Sequence, residues 1–236
     1  MRIIYFSDTH NFHDQVKIPP CDLLICGGDI SGVGERREVE RFLKWFKRQL
    51  ATYRVFIAGN HDRSFDPEKN PTGEKPEWLV EALEEFKNCG TNYYLENSSC
   101  EIEGLTIWGS PVTPSFGKEF WAFNKDRGEE INEVWKNIPD KVDIVVTHGP
   151  VHGVLDDLMN GQRVGCEDLR KRINEVSPML HLSGHIHFGY GIHDWSSTAY
   201  LNGAICDEDY SPINNPWLIT LNDNNQIDLI EKVYEI

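Results

Sequence analysis

The 236 residues carry 38 acidic against 23 basic side chains, a net charge of −15, and 39% are hydrophobic. A chain of this kind has enough apolar material for a core and no apolar run able to cross a bilayer. Its basic residues are too few and too scattered for the phosphate contacts that hold a nucleic-acid polymer, so neither membrane nor polymer is an expected partner. No low-complexity tract marks a boundary, and a single domain over residues 1–236 is expected. Six cysteines (Cys21, Cys26, Cys89, Cys100, Cys166 and Cys206) include no C-x-x-C pair and read as free buried thiols. The opening Met1-Arg2-Ile3-Ile4-Tyr5-Phe6 lacks the sections of a secretion signal, and the expected compartment is the cytoplasm.

In chain order, apolar runs bounded by turn residues predict strands at 2–6 and 22–26. Val39, Phe42, Leu43, Phe46 and Leu50 then recur at helical spacing among charged residues, which predicts an amphipathic helix over 35–50. A strand follows at 54–58, then a charged loop over 63–77 with three prolines that reads as a solvated excursion. A helix at 78–86 presents Glu81, Glu84 and Glu85 as a solvated face, and a strand covers 105–108. The long segment 110–127 carries Phe116, Phe120, Trp121 and Phe123, more aromatic surface than an idle loop exposes. Strands at 143–147, 179–183, 198–201 and 217–221, with one helix at 166–176, complete the reading. The alternation of β and α gives way to strands after residue 177, so the expectation is an α/β fold with helices on the outer faces.

Polar clusters stand where five of these strands run out: Asp8 and His10, Gly28-Asp29, Gly59-Asn60-His61-Asp62, Thr147-His148-Gly149, and Gly184-His185-Ile186-His187. The carboxyl ends of strands are where ligand sites assemble in α/β sheets, so the five can converge. Strand alternation places Asp8 with His10, and His185 with His187, on common sides. Asp8, His10, Asp29, Asn60, His148, His185 and His187 make seven potential ligands, too many for one open catalytic ion. Two ions sharing Asp29 use them all. Carboxylate, imidazole and amide donors without a thiolate suit Mn2+, Fe2+ or Zn2+. Of the other histidines, His13, His152 and His193 are expected at the surface, and His181 as a hydrogen-bonded strand residue.

D-x-H, G-D, G-N-H-D, a lone histidine after threonine and G-H-x-H, in this order, resemble the calcineurin-like metallophosphoesterases. Trp108-Gly109-Ser110-Pro111, Trp121-Ala122-Phe123-Asn124, Arg163-Val164-Gly165-Cys166 and the run Gly184 to Gly191 are similar to its metallophosphoesterase-domain phosphodiesterases. The resemblance implies a double β-sheet sandwich flanked by helices, four layers in the order αββα. It implies one ion on Asp8, His10, Asp29 and His187, and another on Asp29, Asn60, His148 and His185. Mn2+ is favoured, with Fe, Zn, Ni or Co as alternatives. His61 would bind neither ion and would act as the catalytic acid, while Asp62 orients it or caps the following turn. Expected substrate contacts are Asn60, His61, Trp121, Phe123, Asn124 and Arg163, the last pairing with phosphate unless a salt bridge claims it. The implied activity is in-line hydrolysis of small phosphodiesters, nucleotides included, by a hydroxide that bridges the metals. A phosphomonoesterase or nucleotidase, or a non-catalytic binding scaffold of the same fold, are the alternatives. One departure is plain: no second aspartate follows Gly28-Asp29 in Ile30-Ser31-Gly32-Val33-Gly34.

Overall fold

A computed structural model describes residues 1–117, 119–195 and 197–233. The chain runs β1 (Arg2–Phe6), β2 (Cys21–Cys26), α1 (Arg36–Arg48), β3 (Ala51–Phe56), α2 (Glu77–Lys87), β4 (Asn92–Tyr94), β5 (Ser98–Ile102), β6 (Leu105–Ser110) and β7 (Thr113–Pro114). It continues with β8 (Asn124–Lys125), α3 (Glu129–Trp135), β9 (Ile144–Thr147), α4 (Glu167–Val176), β10 (Leu180–Ser183), β11 (Gly191–Trp195), β12 (Thr198–Asn202), β13 (Trp217–Leu221) and β14 (Ile227–Lys232).

Strands β1, β2, β3 and β4 are parallel, and β13 and β14 extend their sheet in antiparallel fashion beyond β1. In the second sheet β6, β9, β10 and β12 are parallel, and antiparallel β5 and β11 close its two edges. Parallel strands covered on both faces need apolar residues at every position, which is why β1, β2 and β9 read as continuous apolar runs. Alternate residues divide between two cores. Ile3, Tyr5, Leu23 and Ile25 belong to the same buried cluster as Ile107, Ile144, Val146 and Leu182, the layer between the sheets. Within it the Tyr5 hydroxyl donates to the Ser183 carbonyl at 2.6 Å, tying β1 to the end of β10.

The opposite residues face helices. Phe6 meets Phe46 of α1 edge-on, and Phe56 meets Phe86 of α2 in the same way. Reciprocal hydrogen bonds between Glu35 and Glu38 cap the start of α1. On the second sheet Trp108 lies against Trp135 of α3, and Leu169 and Ile173 supply the buried face of α4. The result is the αββα double sandwich expected from the sequence.

Strands β4, β5, β11 and β14 escaped sequence reading because edge strands bury one face or less; the two-residue β7 and β8 and the short helix α3, with only Ile131 and Trp135 buried, were not predicted either. The third strand lies at 51–56 rather than 54–58. The 63–77 segment is not a solvated excursion: Phe65 is fully buried, and the Asp66 carboxylate accepts the Phe123 N–H at 2.8 Å. His13 is likewise no surface residue. It is fully buried against the rings of Phe42 and Trp45, and its Nε2 accepts from Arg41 Nε at 3.3 Å. His152 is half-buried, 3.6 Å from Asp156, and His193 is exposed. His181 is buried with Nε2 2.8 Å from the Thr147 hydroxyl. Among the described residues no helix is long and apolar enough to cross a membrane.

Candidate metal centre

Strands β1, β2, β3, β9 and β10 end on one edge of the sandwich, and backbone bonds lock the loops that follow. The Asp8 N–H donates to the Gly28 carbonyl at 2.9 Å and the His10 N–H to the Asp29 carbonyl at 3.0 Å. The His61 N–H donates to Asp29 Oδ1 at 2.8 Å, and the His185 N–H reaches both oxygens of Asp8 at 3.0 Å. Strand alternation does not produce this arrangement. Asp8, His10, Asp29 and His185 have left-handed φ values of 51°, 40°, 48° and 65°, so each ligand turns out of its strand rather than extending it. Such backbone costs on the order of 1–3 kcal/mol per residue and persists only where the surroundings impose it. Two glycines permit the close approach: a Cβ at Gly59 would lie 2.2 Å from Asp29 Oδ1, and one at Gly184 would lie 2.1 Å from Asp8 Oδ2.

The donors form two groups with Asp29 between them. Asp8, His10 and His187 bring ligand atoms within 4.8 Å of one another, and so do Asp29, His148 and His185. In the first group the Nε2 atoms of His10 and His187 are 3.2 Å apart, and His187 Nε2 is 3.5 Å from Asp8 Oδ1. In the second, His148 Nε2 lies 3.3 Å from Asp29 Oδ2 and 3.0 Å from Asn60 Oδ1. Asp29 Oδ2 is also 3.8 Å from His10 Nε2, so this carboxylate faces both groups.

Tautomers decide whether cations fit. His148 Nδ1 lies 2.9 Å from the Gly27 carbonyl and His187 Nδ1 2.7 Å from the Asp207 carbonyl, so each Nδ1 carries the donated proton. Neutral rings held in this way would aim Nε2 lone pairs at carboxylate and amide oxygens, and lone pairs facing lone pairs need a positive charge between them; without a metal that charge is a second proton, which a bound cation replaces. Burial pushes His148 and His187 down, yet the charge of Asp29 and Asp8 outweighs it and both rise to about 9. Burial pushes His10 down to about 4 and His185 down to about 3, which leaves these two neutral and ready to donate lone pairs. Asp29 is held well below the carboxylate range, against its burial, by His148 and His61. Seven donors thus fit two divalent ions.

His61 stands beside this set, although its ring also brings a nitrogen within 4.8 Å of ligand atoms of His10 and Asp29. Its Nδ1 is 2.8 Å from the Gly32 carbonyl, its ring stacks on Trp121 at 4.0 Å, and its Nε2 lies 4.0 Å from Asp29 Oδ2. Asp62 neither orients it nor caps the following turn. The Asp62 carboxylate, fully buried, instead accepts the N–H groups of Gly59, Ile30 and Ser31 and the Ser31 hydroxyl, and so clamps the loop after β2 to the loop after β3. Three substrate expectations also need correction. Phe123 is buried in the core, where its N–H serves Asp66. The Asn124 amide donates to the Trp121 carbonyl at 3.1 Å and does not line the site. Arg163 is claimed by a salt bridge of 3.3 Å to Asp157.

Other residues take the positions around the two donor groups. Trp121 and Phe116 come from the aromatic loop, Phe116 with its ring 5.6 Å from that of His185. Tyr210, with a φ of 59°, places its ring 4.8 Å from His10, and Glu208 lies on the same rim. Sequence reading passed over Tyr210 and Glu208, since Asp207-Glu208-Asp209-Tyr210 reads as an ordinary acidic turn. Together with Asn60, His61 and His187 these side chains line a cleft of about 480 Å³. A second cavity of about 560 Å³ shares Phe116, Leu158, His185 and Ile186 with the first and continues past them to Ser115, Arg127 and Gln162.

A double sandwich with two cation-ready donor groups at its strand ends is the frame of a metallophosphoesterase. The chain belongs to the calcineurin-like phosphoesterases, whose family model matches residues 1–189. It is 37% identical over 235 residues to human metallophosphoesterase domain-containing protein 1, covering 93% of this chain and 71% of that protein. A Caenorhabditis elegans UPF0046 protein is 32% identical over 209 residues, covering 88% of this chain and 71% of the relative. Among solved structures, TT1561 of Thermus thermophilus shares the fold with a TM-score of 0.61 at 12% identity, over 98% of both chains. The phosphopantetheinyl hydrolase of Mycobacterium tuberculosis shares it with a TM-score of 0.55 at 13% identity, over 85% of this chain and 87% of the other.

Proposed function

We propose that the chain is a two-metal phosphodiesterase acting on small phosphodiesters, nucleotide-type esters included. The observation that carries this reading is the pair of cavities meeting at His185, because a phosphate held there has room for a substituent on each side. The lining of the first cleft adds to it. That cleft contains no arginine or lysine among the described residues and does contain Glu208, which repels a dianionic monoester more than a monoanionic diester.

Asp8, His10, Asp29 and His187 would hold one ion, and Asp29, Asn60, His148 and His185 the other. Mn2+ is the favoured metal, with Fe, Zn, Ni or Co able to use the same nitrogen and oxygen donors. Bound divalent cations would lower the pKa of a water between them and neutralise the phosphoryl oxygens. His61, fixed through its Nδ1–H and the Trp121 stack, presents Nε2 to the cleft. From there, when doubly protonated, it gives its proton to the departing oxygen. The complete donor set together with His61 favours an enzyme over a binding scaffold. Six free cysteines favour a reducing compartment, the cytoplasm.

Hydrolysis of bis(p-nitrophenyl) phosphate and p-nitrophenyl phosphate by protein loaded with each metal tests the reading. The expected result is a higher kcat/KM for the diester with Mn2+. Preference for the monoester, or no hydrolysis with any of the metals, overturns it.

A further inference from the structure

Arg127 ends the aromatic loop and lines the second cavity. Its Nη1 donates to the Gly165 carbonyl at 2.8 Å and its Nη2 to the Val164 carbonyl at 2.6 Å, so the guanidinium is anchored by neutral acceptors alone. Among the described residues it forms no ion pair. Asp168, which feels its charge, is engaged by the Gly128 N–H at 3.0 Å and by Lys171 at 3.2 Å. Neutral acceptors also anchor Arg54, through the Phe46 and Gln49 carbonyls and the Asn92 amide oxygen, so what singles out Arg127 is its place. It stands on the wall of a cavity that opens onto the metal ligand His185, with neutral Ser115 and Gln162 beside it. The first cleft has the opposite character, with aromatic walls and Glu208 at its rim.

We propose that the second cavity is an anion subsite, and that the substrate is an asymmetric phosphodiester whose retained alcohol carries a carboxylate or phosphate received by Arg127. The identity of the scissile group rests on the phosphodiesterase reading; the subsite rests on Arg127. The direction follows from His61, which lines the first cleft and not the second. The oxygen it protonates therefore belongs to the alcohol lying against Trp121. The attacking water releases a proton to solvent and its oxygen bonds to phosphorus as the bond to that leaving oxygen breaks; the His61 proton goes to the leaving oxygen, and His61 recovers one from solvent. The products are a neutral alcohol and a monoester bearing the second anion. A fixed guanidinium offers that anion a charge-assisted hydrogen bond, whereas an amide of the same shape gains only a neutral one.

The test compares p-nitrophenyl diesters of 2-carboxyethanol, 2-phosphoethanol and the neutral 2-carbamoylethanol on Mn2+-loaded protein. Calorimetric binding of the corresponding monoesters runs in parallel. Wild type is expected to favour the anionic compounds by about tenfold in kcat/KM and in binding. Arg127→Gln should bring that ratio to about one. Gln162→Glu, a change at an exposed position that leaves the Arg127 anchor in place, should lower it by adding a repelling carboxylate. The carboxylate and phosphate arms show which anion the cavity takes. A wild-type ratio near one, or a preference that survives both substitutions, overturns the subsite. If no diester is hydrolysed while the anionic monoesters still bind more tightly through Arg127, the phosphodiesterase reading falls and the subsite stands.

Discussion

His61 and Asp62 are adjacent in sequence and do unrelated work. The imidazole is held by a backbone carbonyl, that of Gly32, and by the face of Trp121, whereas the Asp62 carboxylate gathers three backbone N–H groups and a hydroxyl from two loops. His61→Ala should lower kcat by about 10²–10⁴-fold with metal content unchanged. Asp62→Ala leaves three N–H donors without an acceptor and should lower the free energy of unfolding in urea by about 2–4 kcal/mol. A stable Asp62→Ala protein with collapsed kcat and altered His61 titration would restore the orienting role. The motif G-N-H-D announces both residues, but a carbonyl partner 29 positions away has no side-chain signature, so His61's support could not be read from sequence.

At the scale of elements, the candidate metal ligands are placed by the loops that follow strands. Gly184 shows how tightly. Its N–H donates to the His148 carbonyl at 2.9 Å, and a Cβ added there would lie 2.1 Å from Asp8 Oδ2, so a side chain must displace the carboxylate. Gly184→Ala should weaken cation binding about 10–100-fold, read by competition with a chelator. Unchanged affinity would mean that Asp8 has freedom the geometry denies it. The aromatic loop was recognisable by composition, but which of its rings face the donor groups was not. Backbone bonds from Ala122 to the Asn60 carbonyl and from Phe123 to Asp66 turn Phe123 inward and leave Trp121 over His61.

For the molecule as a whole, burial of neutral histidines sets part of the response to acid. Burial pushes His13 down to about 4 and His181 down to about 3, both below the ordinary 6.5. Between those values and 6.5 the unfolded chain binds the proton and the folded one does not. The stability is therefore complete above about 6.5 and drains away as pH falls toward 4. Each histidine should withdraw about 1–2 kcal/mol between pH 7 and 5. Urea titrations of metal-free protein at both pH values should show a smaller loss in a His13→Gln, His181→Gln double variant than in wild type. Equal losses would show that the two rings are protonated in the fold.

The sequence by itself determined the central parallel strands, the amphipathic helices and the ordered motifs of the phosphoesterase family. Continuous apolar runs, 3.6-residue periodicity and strand-end glycines are local properties of the chain. Only the tertiary structure decided that His13 is buried and that Arg127 faces a cavity joined to the candidate metal centre. Each depends on a partner far away in sequence: Trp45 for His13, and Val164 and Gly165 for Arg127. Burial and charge compensation are properties of the neighbours that folding brings together, and no window on the sequence contains them.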